Sequence, residues 1–560
     1  MSKAVKTISN WWNDRWENDL QKKEFVGAVL LCVVLKLILV ATQMIEIFPG
    51  GAPLDDELML SAARSIGEGR WLGTYDWKTI AKSMGFSVWL WLLHTLHIPY
   101  LIGNQLLYAL ASIVGAQAMA PVLKRRWSRL AVFFVLWFSP FSTAQFTLRV
   151  YRDSILPAFI LLAISSAFAV ALRLREGKHG IYAMVAGLAS GVALLIRDDV
   201  IWIFPFVLAA LVLSGVLAGK KHLKRWLISA VALVLAFLAP VLAFCGMNQK
   251  TYGVFLINET GDPSFTQALS AMQRADLDLP HAKIAVCKET RDRIYAAVPE
   301  AAQLGAVLDG GELYAGYGWP EEEEFNSGGF FWAVKRASFE GGFATNAVAF
   351  RTYFQGLADA INGAYETGQL EENPKAGVVS PFVVPFDGSY VMPTLRETGN
   401  SLKCLLLFQQ TTSLAPLSFA SPEQAKEWQD YTYTLPSYIA KANTAEPYYF
   451  FFQVIAEVLF TIIRWCYRIL IWPALIYAFV KTFKWMKRGF ASKEHYLDKI
   501  AGVGLLGLLL SIALRVVMIS YIEVTNFQIG TYLLYLSGAA VLLVYLAAVG
   551  AGAFLEQRHQ

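Results

Sequence analysis

The sequence predicts a polytopic α-helical membrane protein, with about ten transmembrane helices and a mixed α/β domain outside the cytoplasm. Three observations carry that prediction. Hydrophobic residues make up 56% of the 560 and charged ones only 16%, and the mean hydropathy is +0.44. Apolar runs of about 20 residues, each enough to cross a hydrocarbon core, recur along the chain. The basic residues gather in short loops between those runs, and one orientation accommodates them all. The formal charge of +5 therefore reads as membrane orientation and not as a nucleic-acid footprint, so nucleic acid is not an expected partner.

Residues 1–24 are polar and carry Trp11, Trp12 and Trp16; they are read as a cytoplasmic N-terminus. The apolar run 25–48 is too long for a signal core and shows no small-x-small site before Pro53, so it is expected as a permanent first span. The turn Gly50-Gly51-Ala52-Pro53 then opens a first outer loop, 49–99. Asp55, Asp56 and Glu57 arrive together there. Acids at a helix start cap free N–H groups and suit the dipole. Leu54, Leu58, Ala62 and Ile66 recur every fourth residue as one apolar face, and Gly67 and Gly69 stop the turn. The expectation is a short helix on the membrane surface.

Segment 85–98 is apolar but too short to cross comfortably. As a surface or re-entrant helix it leaves every basic loop on one side: Lys3–Lys23, Lys124–Arg129, Arg173–Lys178, Lys220–Arg225 and Lys481–Lys499. As a full span it would put the later loops opposite the N-terminus, against the usual bias. Further spans are expected at 100–123, 130–147, 154–173, 180–196, 200–218, 226–246, 455–482, 499–519 and 529–553. This arithmetic divides the chain into a transmembrane module over 25–246, an extracytoplasmic domain over 247–450 and C-terminal transmembrane helices over 451–560. Both termini are then cytoplasmic. Within the outer domain, Phe330, Val334 and Ala337, and then Ala347, Phe350, Phe354, Leu357 and Ile361, repeat at helical spacing on either side of Gly341-Gly342.

The outer side also collects ionisable groups at span ends: Lys82, Arg149, Arg152, Asp153, Arg197, Asp198 and Asp199. An acid triplet in an aqueous loop is ordinarily just solvated. Here it is pinned between a span and an amphipathic helix, and charges turned toward one side of a bundle are costly unless paired or used. Acids beside bases fit a reaction in which a hydroxyl loses a proton while a phosphate leaves. Inside the spans, Lys36 is expected to pair with a carboxylate. Arg464 and Arg468 fall in the eighth span, and Arg515 lies near an outer end, within reach of a donor phosphate. Of the five cysteines, Cys32, Cys245 and Cys466 sit in or near spans; Cys287 and Cys404 could form a disulfide or stay as two thiols. No cysteine pair has metal-ligand spacing. His94 and His97 share a turn but lack further ligands, so no metal ligand is assigned. The acidic cluster could hold a divalent cation, and no other cofactor is assigned.

The order of these features resembles a known family. An acidic pair follows the first span. A surface helix ends in Gly-Arg-Trp-Leu-Gly, then come Tyr75-Asp76 and Lys82, a short apolar helix and the second span. Arg152-Asp153 and an Arg-Asp-Asp-x-x-Trp-x-x-Pro stretch at Arg197–Pro205 follow. This is similar to the GT-C superfamily of integral-membrane glycosyltransferases, which use polyprenyl-phosphate sugars and include protein O-mannosyltransferases and the lipid A aminoarabinose transferase. The resemblance covers roughly residues 25–218.

It implies a GT-C-like membrane enzyme whose first-loop carboxylate accepts the proton of an attacking hydroxyl, with Asp55 and Asp56 as candidates and Asp56 preferred. The family shows Asp-Glu and then Lys-Pro-Pro, whereas here Asp-Asp-Glu precedes Lys82-Ser-Met-Gly. Either Asp55-Asp56 or Asp56-Glu57 is then the pair, and the role of Lys82 stays open. Lys82, Arg149, Arg152, Arg197 and Arg515 are the cations that could hold the departing phosphate, because an arginine can bind phosphate through two parallel bonds. Asp153, Asp198 and Asp199 are expected as their supports. The implied reaction moves one sugar, with inversion, from a polyprenyl-phosphate carrier in the plasma or inner membrane to an extracytoplasmic glycan, lipid or protein. The alternative is a polytopic transporter, or a flippase or polymerase for lipid-linked glycans. A transporter would call for broken helices and related halves.

Overall fold

The computed structural model describes residues 19–49, 52–278, 281, 283–373, 386–439, 447–492, 494–526, 528–530 and 532–557. Its membrane part is a bundle of apolar helices. Seven of the described helices are long and apolar enough to cross a membrane: Tyr100–Ala118, Leu156–Arg173, His179–Ile196, Asp198–Ala218, Lys220–Tyr252, Tyr496–Thr525 and Leu533–Gln557. A further pair, Arg126–Trp137 and Pro140–Leu148, bent by 40°, is long and apolar enough as a broken span or a re-entrant loop. The chain is therefore a multi-pass helical membrane protein. Two further helices flank this set, α1 (Lys22–Val40) and a long one, Pro447–Ala491, with Pro473 inside it.

Burial sorts the spans. Leu156–Arg173 and Leu533–Gln557 are apolar all round and almost wholly buried, so they form the centre. The outer helices turn large side chains away from the protein: Leu30, Leu31, Val34 and Ile38 on α1, and Leu227, Val231, Leu235 and Leu242 on Lys220–Tyr252. In a bilayer such faces meet lipid. His179–Ile196 packs against Lys220–Tyr252 through Gly187 and Gly191, where backbones approach closely; a Cβ added at Gly187 would lie 2.1 Å from the Leu233 carbonyl oxygen.

Two expected spans are reshaped. The first ends at Val40 although apolar residues continue to Phe48. Residues 45 and 46 instead form bridges with Pro436 and Arg149. The Ile45 N–H donates to the Leu435 carbonyl at 3.0 Å and the Glu46 N–H to the Leu148 carbonyl at 3.0 Å. Composition alone cannot tell helix from such borrowed pairing. The expected span 130–147 breaks at Ser139-Pro140 because proline disfavours helix in the residue before it. Segment 85–98 forms a short helix, Gly85–Thr95.

The polar stretch 247–450, expected as one outer domain, divides between two cores. Helices Pro263–Arg274, Lys288–Ala297, Pro299–Leu308, Ser327–Glu340 and Ala347–Glu366 surround a core of their own around Phe265, Phe325, Phe350 and Phe354. The two helical sets separate near Gly341-Gly342, as the spacing predicts. Residues from Val391–Leu406 and Pro422–Thr432 join the membrane core instead, through Cys404, Leu405 and Trp428. Strand is confined, among the described residues, to two pairs of two-residue strands.

The basic loops meet at one end of the bundle. Lys124, Arg175, Lys481 and Arg488 line a cavity of about 480 Å³ there with Asp498 and Glu556. Lys36, expected to pair with a carboxylate, meets none among the described residues; its ammonium donates to the Trp137 carbonyl at 2.6 Å and to Ser142 Oγ at 2.7 Å, and lies over the Trp137 ring. The Pro140 break makes this arrangement, since it exposes carbonyls that a continuous helix would consume. Arg464 pairs with Glu457 at 3.4 Å, and Arg468 donates to the Leu407 carbonyl at 2.7 Å. Cys287 and Cys404 are both free thiols. His94 stacks on Tyr431 and meets its carbonyl at 3.0 Å, and His97 stacks on Tyr433.

Candidate active site

The first-loop helix, α2 (Asp56–Gly67), begins where the sequence places it, but it is rotated. Its buried residues are Asp56, Met59, Leu60, Ala62, Ala63 and Ser65; of the expected face Ala62 is buried, whereas Leu58 and Ile66 are only half-buried. The reason is Asp56, which is drawn inward with no solvent exposure. Arg149 Nε donates to both of its oxygens, at 2.8 and 3.1 Å, and Nη2 also bonds to it. Arg149 is held for this grip. Its neighbours Leu148 and Val150 bond the backbone of Glu46, and its own carbonyl accepts from the Tyr100 hydroxyl at 2.7 Å.

Asp55 occupies the N-cap position of α2 but makes no side-chain cap. An aspartate at a helix start ordinarily spends its carboxylate on free N–H groups. This one turns away and accepts from the Lys82 ammonium and, at 2.9 Å, from the Tyr151 hydroxyl. Arg149 Nη2 stands 3.8 Å from its second oxygen. The side chain is one-third exposed, so it is the carboxylate of the pair that a reactant could reach. Glu57 is exposed and lies outside this network, on the wall of a surface cavity of about 360 Å³ with Arg70, Asp76 and Lys78.

Lys82 comes in on a loop clamped from the outer region. The Glu259 N–H donates to the Ile80 carbonyl at 2.9 Å, Asn258 Nδ2 to Ser83 Oγ at 2.9 Å, and Trp332 lies 5.1 Å from the Lys82 ammonium. Beneath that loop the Tyr75 hydroxyl donates to Glu259 at 2.8 Å, and Glu259 in turn pairs with Lys335, both wholly buried.

A second charged group adjoins the first. Arg197 donates to Asp153 at 2.6 Å and, through Nε and Nη2, to both oxygens of Asp199 at 2.8 and 2.7 Å. Arg515 reaches the same Asp199 at 2.9 Å and the Tyr535 carbonyl at 3.0 Å. Asp198 departs from expectation. In the short helical turn Asp198–Ile203 it faces outward and accepts from the Asp199 N–H at 3.2 Å; among the described residues it forms no salt bridge, and its charge acts on Arg152. Arg152 lies between the groups, over the Tyr151 ring at 5.3 Å. Among the described residues no carboxylate comes within salt-bridge distance of it, and its buried Nε has no hydrogen-bond partner. The sequence reading did not identify Tyr151, Trp332, Tyr535 or Glu46 as part of this neighbourhood. Tyr151 is flanked by the flagged Arg149 and Arg152, but the other three carry no local signal.

The electrostatics follow from burial and pairing. Burial alone would raise Asp55, but the Lys82 ammonium, helped by Arg152 and the Tyr151 hydroxyl, outweighs it and brings the pKa down to about 2. Burial raises Asp56 to about 6 against the pull of Arg149, with the Asp55 charge adding to the rise. Burial lowers Lys82 to about 8, although Asp55 opposes it. Burial lifts Glu46 to about 7, again against Arg149. At neutral pH the site therefore presents Asp55 as an ionised, reachable carboxylate near Arg152, a guanidinium that forms no salt bridge among the described residues, a combination able to take up a proton and an anionic group side by side.

No protein-family model matches this chain. No curated protein matches it either. Among solved structures, the crystal structure of ArnT from Cupriavidus metallidurans in the apo state is similar at a TM-score of 0.29 and 11% identity, over 93% of this chain and 78% of that one. At that TM-score the likeness says nothing of the chemistry, which rests on the geometry above.

Proposed function

We propose that the protein is an integral-membrane glycosyltransferase of the GT-C type, which moves a sugar from a polyprenyl-phosphate carrier to a hydroxyl on an extracytoplasmic glycan, lipid or protein. The observation that carries the proposal is Asp55, a carboxylate that leaves its capping role to sit, ionised and partly exposed, among Lys82, Arg149, Tyr151 and Arg152. The basic loops gathered at the other end of the bundle favour that end as cytoplasmic and this one as outward.

In the proposed reaction the donor phosphate draws Lys82 away from Asp55 and takes Arg152 as a second cation. Losing its ammonium partner raises the proton affinity of Asp55, which then becomes a competent base. The acceptor oxygen forms a bond to the anomeric carbon from the face opposite the phosphate, and its proton passes to Asp55. The bond from the anomeric carbon to the phosphate oxygen breaks, with its electron pair leaving on the polyprenyl phosphate. Lys82 and Arg152 stabilise that developing charge. One displacement inverts the anomeric centre. Asp56 holds Arg149 in place, and Arg197 and Arg515, both committed to carboxylates, hold Asp153 and Asp199 as the floor of the site.

The test reconstitutes the purified protein in liposomes with polyprenyl-monophosphate sugars of several sugar classes and an envelope extract as acceptor. The proposal expects release of free polyprenyl phosphate together with a new glycosidic bond. Translocation without bond formation would make the protein a flippase or transporter, and turnover of diphosphate donors alone would make it a polymerase.

A further inference from the structure

Away from the charged rim, the loop joining Pro263–Arg274 to Lys288–Ala297 brings together three side chains of a different kind. One ligand atom each from Asp276, His281 and Cys287 lies within 4.8 Å of the other two. The loop is held from several directions. The Asp276 carbonyl accepts from Asn373 Nδ2 at 2.7 Å, the Ala275 carbonyl accepts from Arg293 at 3.1 Å, and the Lys283 N–H donates to the Thr525 carbonyl at 2.8 Å. Ser327, opening the helix Ser327–Glu340, donates its N–H to the Lys283 carbonyl at 2.8 Å. These contacts tie down residues 275, 276 and 283 of the loop.

Asp276 supplies the second observation. Its side chain is 1% exposed. One oxygen accepts from the Asp278 N–H and faces His281 Nε2, each at 3.2 Å. The other, Oδ2, is buried with no hydrogen-bond partner. Among the described residues no lysine or arginine forms a salt bridge with this carboxylate; His281 is its ionic neighbour. A buried carboxylate oxygen left without a donor is costly, and a cation is the partner that would satisfy it. Cys287 sits at the N-cap position of Lys288–Ala297, with its sulfur 3.2 Å from the Thr290 hydroxyl; burial holds the proton on its thiol, and a bound cation would draw it off.

We propose that Asp276, His281 and Cys287 bind a divalent cation of the zinc class, with water as the fourth ligand, and that the cation fastens the 276–287 loop. Thiolate and imidazole select zinc over magnesium or calcium, which take oxygen ligands. With bonds of about 2.0–2.3 Å, a tetrahedral zinc ion separates its ligand atoms by roughly 3.3–3.8 Å. The 3.2 Å between His281 and Asp276 and the 4.8 Å limit on the whole set bracket that range, so small side-chain movements complete the site. The thiol of Cys287 gives up its proton to the solvent on binding.

The test uses the full chain in detergent, stripped with a chelator and titrated with cobalt(II). The expected result is one ion per chain, a thiolate-to-cobalt charge-transfer band and the visible bands of four-coordinate cobalt, all displaced by zinc. Cys287→Ser should abolish the charge-transfer band. His281→Ala and Asp276→Asn should each weaken binding by about tenfold or more, since even indirect partners of a metal contribute on that scale. Metal-free Cys287→Ser and His281→Ala should melt where the stripped parent melts, which separates lost ligation from misfolding. Absence of stoichiometric cobalt binding by the parent, or a thiolate band that survives Cys287→Ser, would overturn the proposal.

Discussion

Asp55→Asn and Asp56→Asn differ by one residue in the chain and are expected to fail in opposite ways. Asp55 is one-third exposed, and its ammonium partner Lys82, 14% exposed and held at about 8 by burial, can shed its proton when the carboxylate is lost. Replacing its carboxylate therefore costs little stability, on the order of 0–1 kcal/mol, the range for partly solvated pairs. It removes the proton acceptor, however, and the expected loss in turnover is about 10²–10⁴-fold, the usual contribution of a positioned base. Asp56 has no exposure and receives the Arg149 guanidinium along both oxygens. Neutralising it leaves the half-buried Arg149 guanidinium with only Asp55, at 3.8 Å, as a carboxylate neighbour among the described residues, at a cost of about 1–3 kcal/mol or more, so the protein should lose folded yield and melting temperature before any kinetic effect is interpretable. The assay pairs thermal unfolding in detergent with single-turnover release of polyprenyl phosphate. Asp55→Asn retaining half of the parental turnover would refute its role as base. Asp56→Asn melting with the parent would refute the buried-pair reasoning.

Three further outcomes follow from the same contacts. Lys82, at about 8, loses its charge as pH rises through that value, so turnover should fall on the alkaline side. Lys82→Arg, which stays charged, should move that fall to higher pH, and an unshifted limb in a pH–rate profile would remove Lys82 from phosphate binding. Gly187→Leu drives a side chain into the Leu233 carbonyl. It should destabilise the bundle by about 1–3 kcal/mol or more, read as a lower melting temperature, while Gly180→Leu, with open space around it, should not. Glu259→Ala strands the buried Lys335 ammonium and should cost about 3–5 kcal/mol; adding Lys335→Met should recover much of it, a coupling that a double-mutant cycle measures.

Much of the architecture was legible because bilayer physics writes itself into composition: long apolar runs, basic loops on one side, proline and glycine at breaks. The site was legible in a coarser sense. Asp55, Asp56, Lys82, Arg149, Arg152, Asp153, Arg197, Asp199 and Arg515 were flagged from five separate stretches, and the fold brings them to one rim. Which of two adjacent acids faces inward was not legible. Asp55 and Asp56, or Asp198 and Asp199, differ only by the turn of a helix, and that turn is set by distant guanidinium groups. The same limit applies to segment 41–48, whose hydrogen-bond partners lie about 100 and 390 residues away in sequence, and to Lys36, whose partners are a carbonyl and a hydroxyl freed by the Pro140 break.

The strap of chain from Ile80 to Ser83 has a consequence of its own. It is gripped at both ends by Asn258 and Glu259, and Trp332 from the same outer body rests over the ammonium it carries. The body that overhangs the membrane and the charge that faces Asp55 therefore move as one piece. In the proposed enzyme, a substrate that displaced this body would shift the counter-ion as well, joining the two through four residues.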